Sequence, residues 1–137
     1  MNYLLDTNTC IYIINKKPPS AIKRIRTKRP EEVAISTITI AELEYGVARS
    51  QFPDRNRVAL LEFLLPFTIL EFDQSAATYY GIIRSSLDSL GKPIGSMDML
   101  LAAQARSCNL ILVTNNEKEF QRVEGLHTEN WVIVGRP

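Results

Sequence analysis

Histidine and cysteine are scarce in this sequence, and each scarcity excludes a class of site. The 137 residues contain one histidine, His127, and two cysteines, Cys10 and Cys108. A single histidine excludes a His-rich zinc site and argues against a Ser-His-Asp triad. Both cysteines lie in apolar helical patterns, so we expect small core residues rather than a disulfide or metal ligands. Any chemistry in this chain is therefore expected to rely on carboxylates.

Long apolar runs and leader features are also missing. No run approaches the roughly 20 apolar residues of a membrane span, and the first residues have neither a basic segment nor a cleavage site. We therefore expect a cytoplasmic protein without a membrane partner. The length and a hydrophobic fraction of 45% predict a single domain spanning residues 1–137.

Acidic residues are absent between Thr7 and Pro30, although the net charge of the whole chain is only +1. The same stretch contains the basic residues Lys16, Lys17, Lys23, Arg24, Arg26, Lys28 and Arg29. One interpretation is an ordinary solvated helix face. The other is a patch for the phosphates of RNA, formed by Lys16, Lys17, Lys23, Arg24, Arg26 and Lys28.

Short apolar runs alternate with helical patterns along the chain. The predicted strands are residues 3–5, 33–35, 68–70, 110–113 and 131–134. Such alternation predicts an α/β fold with a mostly parallel central sheet and helices on both faces.

The helical patterns are defined by apolar spacing and by capping residues. A helix is expected after Asp6, and a second over residues 21–28 with Ser20 as its N-cap. Others are expected over residues 40–49, from Pro53 onward, after Asp73, over residues 97–105 and over residues 117–122. The helix from Pro53 onward is expected to turn Val58, Leu61 and Leu65 inward. The inward positions of the helix after Asp73 are expected to be Ala76, Tyr80, Ile83, Leu87 and Leu90. The helix over residues 97–105 is apolar on nearly every side.

Three acids stand out by position. Asp6 follows the first predicted strand, Glu42 lies early in the helix after the second, and Asp98 lies in the first turn of the central helix. Each has a structural explanation, because Asp6 can cap a helix, Thr39 and Glu42 fit a capping box, and Asp98 suits a helix dipole.

A functional interpretation explains the three acids together. In a doubly wound parallel sheet the strand ends emerge on one side, so acids at strand-to-helix turns share one rim. Carboxylates on one rim repel one another unless a cation or protons neutralise them, and oxygen ligands suit Mg²⁺ or Mn²⁺. A carboxylate-bound divalent ion activates water and neutralises charge on a phosphate, so the rim and the basic segment together suggest a nuclease.

Four motifs resemble, in order and at the family's spacings, a PIN-domain toxin of the VapC group. They are Leu4-Leu5-Asp6-Thr7-Asn8; Ser36-x-x-Thr39-x-Ala41-Glu42-Leu43-x-x-Gly46; Gly91-x-Pro93-Ile94-Gly95-x-x-Asp98-x-x-x-Ala102-Ala103; and Val113-Thr114-Asn115-Asn116 with Glu119-Phe120 and Glu129-Asn130-Trp131. The resemblance implies a PIN-like three-layer fold and a Mg²⁺-dependent endoribonuclease toxin that inhibits translation. It also implies a VapB-type antitoxin as partner and a homodimer.

Matched residue by residue, the family's acids fall on Asp6, Glu42 and Asp98, which the resemblance implies as metal ligands. Many relatives have Asp where this chain has Asn116, and Glu119 is a second acid that can replace it. Supporting positions are Thr7, Asn8, Thr114, Asn115 and Asn116, with Thr7 or Thr114 orienting a carboxylate. The Asn-Asn-x-x-Glu-Phe variant resembles members that cut the anticodon stem-loop of initiator tRNA.

Other classes stay open at this point. A haloacid-dehalogenase-like phosphatase begins with a strand and an Asp but needs a second acid where this chain has Asn8. A phospho-receiver signalling domain needs paired acids after the first strand, and Asp6 has no acidic neighbour. A catalytically silent PIN relative that binds RNA or a partner is the third alternative, because the carboxylate is missing at Asn116.

Overall fold

Five parallel strands form the centre of the fold. In the computed structural model, which describes residues 1–132, the strand order is β3-β2-β1-β4-β5. The strands are β1 (Tyr3–Leu5), β2 (Val33–Ser36), β3 (Thr68–Leu70), β4 (Ile111–Val113) and β5 (Thr128–Glu129). Every pairing is parallel, which confirms the predicted sheet. The order also differs from the 2-1-3-4-5 order of receiver-type folds, so the phospho-receiver alternative is wrong.

Helices cover both faces of this sheet, as predicted. They are α1 (Thr7–Asn15), α2 (Pro19–Arg26), α3 (Thr37–Ala48), α4 (Pro53–Leu64), α5 (Gln74–Ser89), α6 (Ser96–Cys108) and α7 (Glu117–Phe120), with a 3₁₀ turn at Pro30–Glu32. None of the helices within residues 1–132 has the length and apolar content that crossing a bilayer requires.

Two apolar cores lie on opposite faces of the sheet because successive strand side chains point in opposite directions. Leu4 and Leu112 pack with residues of α5, α6 and α7. Leu5 and Val113 pack with residues of α1, α2, α3 and α4. Burial of each such leucine contributes about 1.5–3 kcal/mol, so the central strands are firmly held between the helical layers.

The first turn of α3 differs from its prediction. The helix begins at Thr37, and the Ser36 hydroxyl accepts the Ile38 N–H at 2.9 Å. The predicted start at residue 40 and the capping box of Thr39 and Glu42 are therefore wrong. Thr39 is instead a buried residue inside the helix. Ser and Thr are both good N-caps, and the sequence offers one of each within four residues.

Helix α2 also begins earlier than predicted. Its first residue is Pro19, with Pro18 at the N-cap, so the prediction of Ser20 as the cap and of a helix over residues 21–28 is wrong. Proline suits the first helical position, because its missing N–H would have no helical partner there.

The inward face of α4 was predicted wrongly. Val58, Leu61 and Leu65 are exposed, whereas Leu60 is buried and Phe63 packs against the core. Leu90, assigned inward on α5, is exposed as well and forms the C-cap of that helix. The central helix α6 matches its prediction, because Met99 and residues 101–105 are buried.

The last strand is shorter and earlier than predicted. β5 covers Thr128–Glu129, and Trp131 and Val132 follow it as buried core residues. The other two residues of the predicted strand, Ile133 and Val134, lie outside the described residues. Cys10 and Cys108 are free thiols, as expected.

Two of the basic residues, Arg24 and Lys28, connect α2 and the segment after it to the core. The Arg24 guanidinium lies 3.2 Å from the Glu129 carboxylate and stacks 6.0 Å from the centre of the Trp131 ring. Lys28 donates to the Tyr3 hydroxyl at 3.0 Å. These two cations therefore have structural roles within the fold.

The role of Arg24 predicts a stability difference between neighbouring cations. Arg24→Gln should lower the free energy of unfolding by about 0.5–1.5 kcal/mol, because a half-buried ion pair and a cation–π contact are lost together. Lys23→Gln, one residue away and exposed, is the control and should have almost no effect. Urea denaturation of both variants measures this, and equal losses would show that the Arg24 contacts contribute nothing.

Candidate active site

Four carboxylates meet at the carboxyl edge of the sheet. Asp6 follows β1, Glu42 lies on α3 after β2, Asp98 lies in the first turn of α6, and Glu119 lies on α7 after β4. The charges of Glu119, Asp6 and Glu42 all raise the pKa of Asp98, which places the four groups within electrostatic range of one another. The structure therefore brings together the acids that the sequence assigned to one rim.

Asp6 is the most buried of these acids, with 5% of its surface exposed. Its carboxylate accepts the Thr9 N–H at 2.8 Å and caps α1, as its structural explanation proposed. Burial raises the pKa of Asp6, and hydrogen bonds from Thr114 and Thr9 oppose that shift. The Asp6 side chain therefore both caps α1 and lies at the rim.

Thr7 holds Glu42 in place across two helices. The Thr7 hydroxyl donates to Glu42 Oε1 at 2.5 Å and lies 3.4 Å from the Thr39 hydroxyl. Because Thr7 opens α1 and Glu42 lies on α3, this bond ties together the helices that follow two adjacent strands. Thr7 has the carboxylate-orienting geometry that the sequence suggested.

The neighbouring carboxyl groups of Asp98 and Glu119 have pKa values that shift in opposite directions. Burial, a hydrogen bond with Glu119 and the neighbouring negative charges together raise the pKa of Asp98 to about 7, and burial is the largest cause. At Glu119 burial also acts to raise the pKa, but hydrogen bonds from the Gly95 N–H and the Asn116 amide outweigh it and leave the pKa lowered. Asp98 is therefore the more readily protonated member of this pair of acids.

Backbone and amide donors fix the position of Glu119. The Gly95 N–H donates to Oε1 at 3.2 Å, and Asn116 Nδ2 donates to Oε2 at 2.6 Å. A Cβ atom at Gly95 would lie 3.4 Å from an Asp98 oxygen, which is ordinary van der Waals contact with that carboxylate. Asn116 thus contributes a donor to the rim.

The remaining supporting residues differ in what they contact. Thr114 accepts the Asn116 N–H at 3.0 Å, and Asn115 donates to the Tyr12 hydroxyl at 3.1 Å. Asn8 is exposed on the first turn of α1. Sequence reasoning missed Tyr12 and Thr9, and only the N-capping spacing from Asp6 could have indicated Thr9.

The oxygen atoms of the rim are suitable ligands for a divalent cation, but they do not surround a metal position completely. Across residues 1–132, no three Asp, Glu, His or Cys side chains converge closely enough to hold a metal ion by themselves. The donor set consists of oxygen atoms with excess negative charge, which is what hard cations such as Mg²⁺ bind. Magnesium usually retains several waters, so one or two carboxylates suffice as protein ligands.

The predicted RNA-binding cations divide into two groups. Arg24 and Lys28 are engaged with Glu129 and Tyr3, so these two have contacts inside the fold. The others are exposed, and their side chains form no hydrogen bond or ion pair in the part of the chain that the structure describes; they are Lys16, Lys17, Lys23 and Arg26.

Comparisons with known proteins agree with this geometry. A sequence model of the PIN domain matches residues 3–126. The tRNA(fMet)-specific endonuclease VapC of Shigella flexneri is 43% identical over 96% of this chain and 98% of its own length. Ribonuclease VapC2 of Haemophilus influenzae is 43% identical over 96% of this chain and 99% of its own length.

A solved structure extends the likeness to three dimensions. The crystal structure of VapBC2 from Rickettsia felis bound to a promoter DNA fragment contains a chain that superposes with a TM-score of 0.89. The two chains are 41% identical, and the match covers 96% of this chain and 99% of that one.

The raised pKa of Asp98 predicts how stability depends on pH without metal. A group whose folded pKa is raised stabilises the fold below its unfolded pKa, and that contribution is lost as pH rises through the folded value. In EDTA, wild type should therefore lose stability relative to Asp98→Asn between about pH 4 and pH 7. We expect a loss of about 1–2 kcal/mol, discounted for solvent screening at this half-exposed group.

Thermal melts in EDTA across this pH range measure the difference. Asp54→Asn is the matched control, because Asp54 lies in the first turn of α4 and outside the rim. A difference between wild type and Asp98→Asn that stays constant with pH would contradict the electrostatic description of the rim.

Proposed function

The chain belongs to the PIN domain family, and from that premise we propose that it is the ribonuclease toxin of a VapBC toxin–antitoxin pair. The observation that carries this proposal is the rim, where four carboxylates meet at one sheet edge on a fold shared with VapC ribonucleases. It acts on RNA in the cytoplasm and inhibits translation. A catalytically silent relative is less well supported, because Asp6, Glu42 and Asp98 are all present and lie within electrostatic range of one another.

The proposed cofactor is Mg²⁺, with Mn²⁺ as a substitute. Asp6 and Asp98 are the principal ligands, and Glu42 binds directly or holds a coordinated water. A divalent ion at this site activates water and neutralises charge on the reacting phosphate. Glu119, held by Gly95 and Asn116, adds a fourth carboxylate to the rim beside Asp98.

Water is the proposed nucleophile rather than the 2′-hydroxyl of the RNA. Enzymes that use the 2′-hydroxyl usually place general acid–base groups such as histidine at the ribose. The only histidine, His127, is exposed and immediately precedes β5, whereas the rim lies at the opposite, carboxyl ends of the strands. Hydrolysis by water should leave a 5′-phosphate and a 3′-hydroxyl.

The substrate that we propose is initiator tRNA, cut in its anticodon stem-loop. Support comes from the Shigella flexneri relative, whose name gives tRNA(fMet) as its target, and from the Asn-Asn-x-x-Glu-Phe motif of this chain. Exposed cations on α2 and at the end of α1 supply contacts for phosphates beside the cleavage site.

A VapB-type antitoxin and a second copy of this chain are the proposed protein partners. The Rickettsia felis relative is a VapBC2 complex. This chain exposes apolar side chains that a partner could cover, among them Val58, Leu61 and Leu65 on α4.

Cleavage of labelled tRNA tests the proposed activity. Wild type should cut initiator tRNA with Mg²⁺ or Mn²⁺ and not with EDTA. Asp6→Asn and Asp98→Asn should lose at least about 100-fold in rate while keeping the folded circular-dichroism spectrum. His127→Ala, the control, should retain most activity.

The chemical ends of the fragments test the nucleophile separately. Mass spectrometry should find 5′-phosphate and 3′-hydroxyl ends, and a substrate with one deoxyribose 5′ to the cut should still be cleaved. A 2′,3′-cyclic phosphate, with no cutting of the deoxy substrate, would overturn hydrolysis by water even if the protein proved to be a ribonuclease.

The exposed part of the basic segment yields a binding prediction. Lys23→Gln with Arg26→Gln should weaken single-stranded RNA binding and reduce the slope of log K against log salt by about 1.4, because each lost phosphate contact removes about 0.7. The Arg55→Gln, Arg57→Gln pair on α4 is a control with the same charge change. An unchanged slope would assign the segment to a solvated face or to a protein partner.

A further inference from the structure

A pocket on the α5–α6 side of the sheet is not used by the rim. It is a cavity of about 310 Å³, between α5, the end of α6 and the segment after α7. Its floor is apolar and buried, with Ile83, Leu87 and Val123. Arg106 and Arg122 stand at its sides, Ile82 is exposed at its mouth, and Glu124 is the acid in its lining.

Two contacts position the Arg106 side chain, and neither of them is with a carboxylate. Its guanidinium donates to the backbone carbonyl of Glu124 and stacks 5.4 Å from the centre of the Tyr79 ring. A Cβ at Gly125, whose φ is +80°, would lie 2.9 Å from the guanidinium carbon. The backbone of the segment after α7 therefore approaches Arg106 as closely as a glycine allows.

Arg122 connects the pocket to the rim. Its guanidinium donates to the Pro93 carbonyl at 3.0 Å, two residues before the Gly95 N–H that binds Glu119. Eight residues of α6 separate Asp98 from Arg106, which is about 12 Å along the helix. The pocket therefore lies next to the rim and extends along α6 away from it. Like Arg106, Arg122 forms no ion pair within 4.0 Å among the described residues.

The volume and lining of the pocket fit one nucleotide. Small-molecule sites occupy roughly 300–1,000 Å³ and combine an apolar floor with a few polar groups, so a cavity of about 310 Å³ suits a small ligand. Guanidinium groups bind phosphate oxygens in pairs of hydrogen bonds and stack on bases, while apolar side chains accept the face of a base. The connection of Arg122 to the rim favours RNA over an acidic peptide, because an RNA that is cut at the rim passes beside this pocket.

We propose that this pocket is an RNA subsite, which binds a nucleotide flanking the cleavage site through phosphate contacts to Arg122 and Arg106. This inference rests on the proposed ribonuclease function and deepens it. The RNA crosses the acidic rim with exposed cations of α1 and α2 on one face of the sheet and the two arginines on the other. Arg122 is a binding residue outside the acids themselves.

Salt-dependent RNA binding tests the subsite in an Asp98→Asn background, where the RNA stays intact. Adding Ser86→Glu should weaken binding of a single-stranded RNA several-fold, because the new carboxylate faces the pocket. Ser85→Glu makes the same charge change at an exposed neighbour outside the lining and should have a much smaller effect. Arg122→Gln should reduce the salt slope by about 0.7, Arg122→Lys should restore it, and Arg84→Gln on α5 should leave it unchanged.

Methyl NMR locates the contact without reference to catalysis. The buried methyl of Ile83 should shift on titration with the RNA in the Asp98→Asn protein, and Ser86→Glu should suppress this shift while Ser85→Glu does not. Equal binding by the two serine variants, or an unchanged Ile83 signal at saturation, would overturn the subsite.

Cleavage is a separate measurement, so the two proposals can fail independently. If wild type cuts RNA but Ile83 does not respond, the subsite is wrong and the ribonuclease stands. If Ile83 responds with the expected variant pattern but no RNA is cut, the ribonuclease proposal is wrong and the pocket is an RNA-binding site of a protein that does not cleave RNA. In an active enzyme, Arg122→Gln should raise KM more than it lowers kcat.

Discussion

Repulsion among carboxylates at one edge of a parallel sheet is the constraint on which the rest of this structure depends. Asp6 is almost completely buried, and the pKa of Asp98 rises to about 7 because burial and three neighbouring acids disfavour its charge. Donors hold three of the four acids against this repulsion. The Thr9 N–H binds Asp6, the Thr7 hydroxyl binds Glu42, and the Gly95 N–H binds Glu119. The acids remain close because these donors and the protein around them are rigid.

The fold supplies that rigidity and part of the electrostatic compensation. Leu4 and Leu5 of β1 are fully buried, one on each face, so the strand that carries Asp6 cannot move without disrupting a core. The helices α1, α3 and α6 all begin at this edge. Their N-terminal dipole ends are positive and therefore stabilise negative charge there, by up to about 1 kcal/mol for each favourable contact. A parallel sheet places strand ends and helix starts together, which is why one rim can hold several acids.

Local signals were sufficient to predict four of the five strands and the acids that follow them. The runs at residues 3–5 and 68–70 are strands with those bounds, and Asp6, Glu42 and Asp98 meet as expected because topology fixes where strand ends lie. Choices between equivalent local signals could not be made from the sequence. Ser36 and Thr39 could both cap α3, and α4 has apolar residues on more than one face. Only packing decides that Leu60 is buried and Leu61 is exposed.

The roles of the charged residues were harder to predict than the packing, because they depend on partners that are distant in the sequence. Arg24 and Lys23 are neighbours in a uniformly basic segment, yet Arg24 meets Glu129, 105 residues later, while Lys23 stays in solvent. Arg106 and Arg122 attract no notice in the sequence, because each is a single cation and the two lie in separate segments. The net charge of +1 therefore conceals a segregated distribution, with acids at the sheet edge and cations on both faces beside it. A nearly neutral protein can attract a polyanion when its positive charges are arranged around the path that the polyanion takes, since the local field and not the net charge guides association.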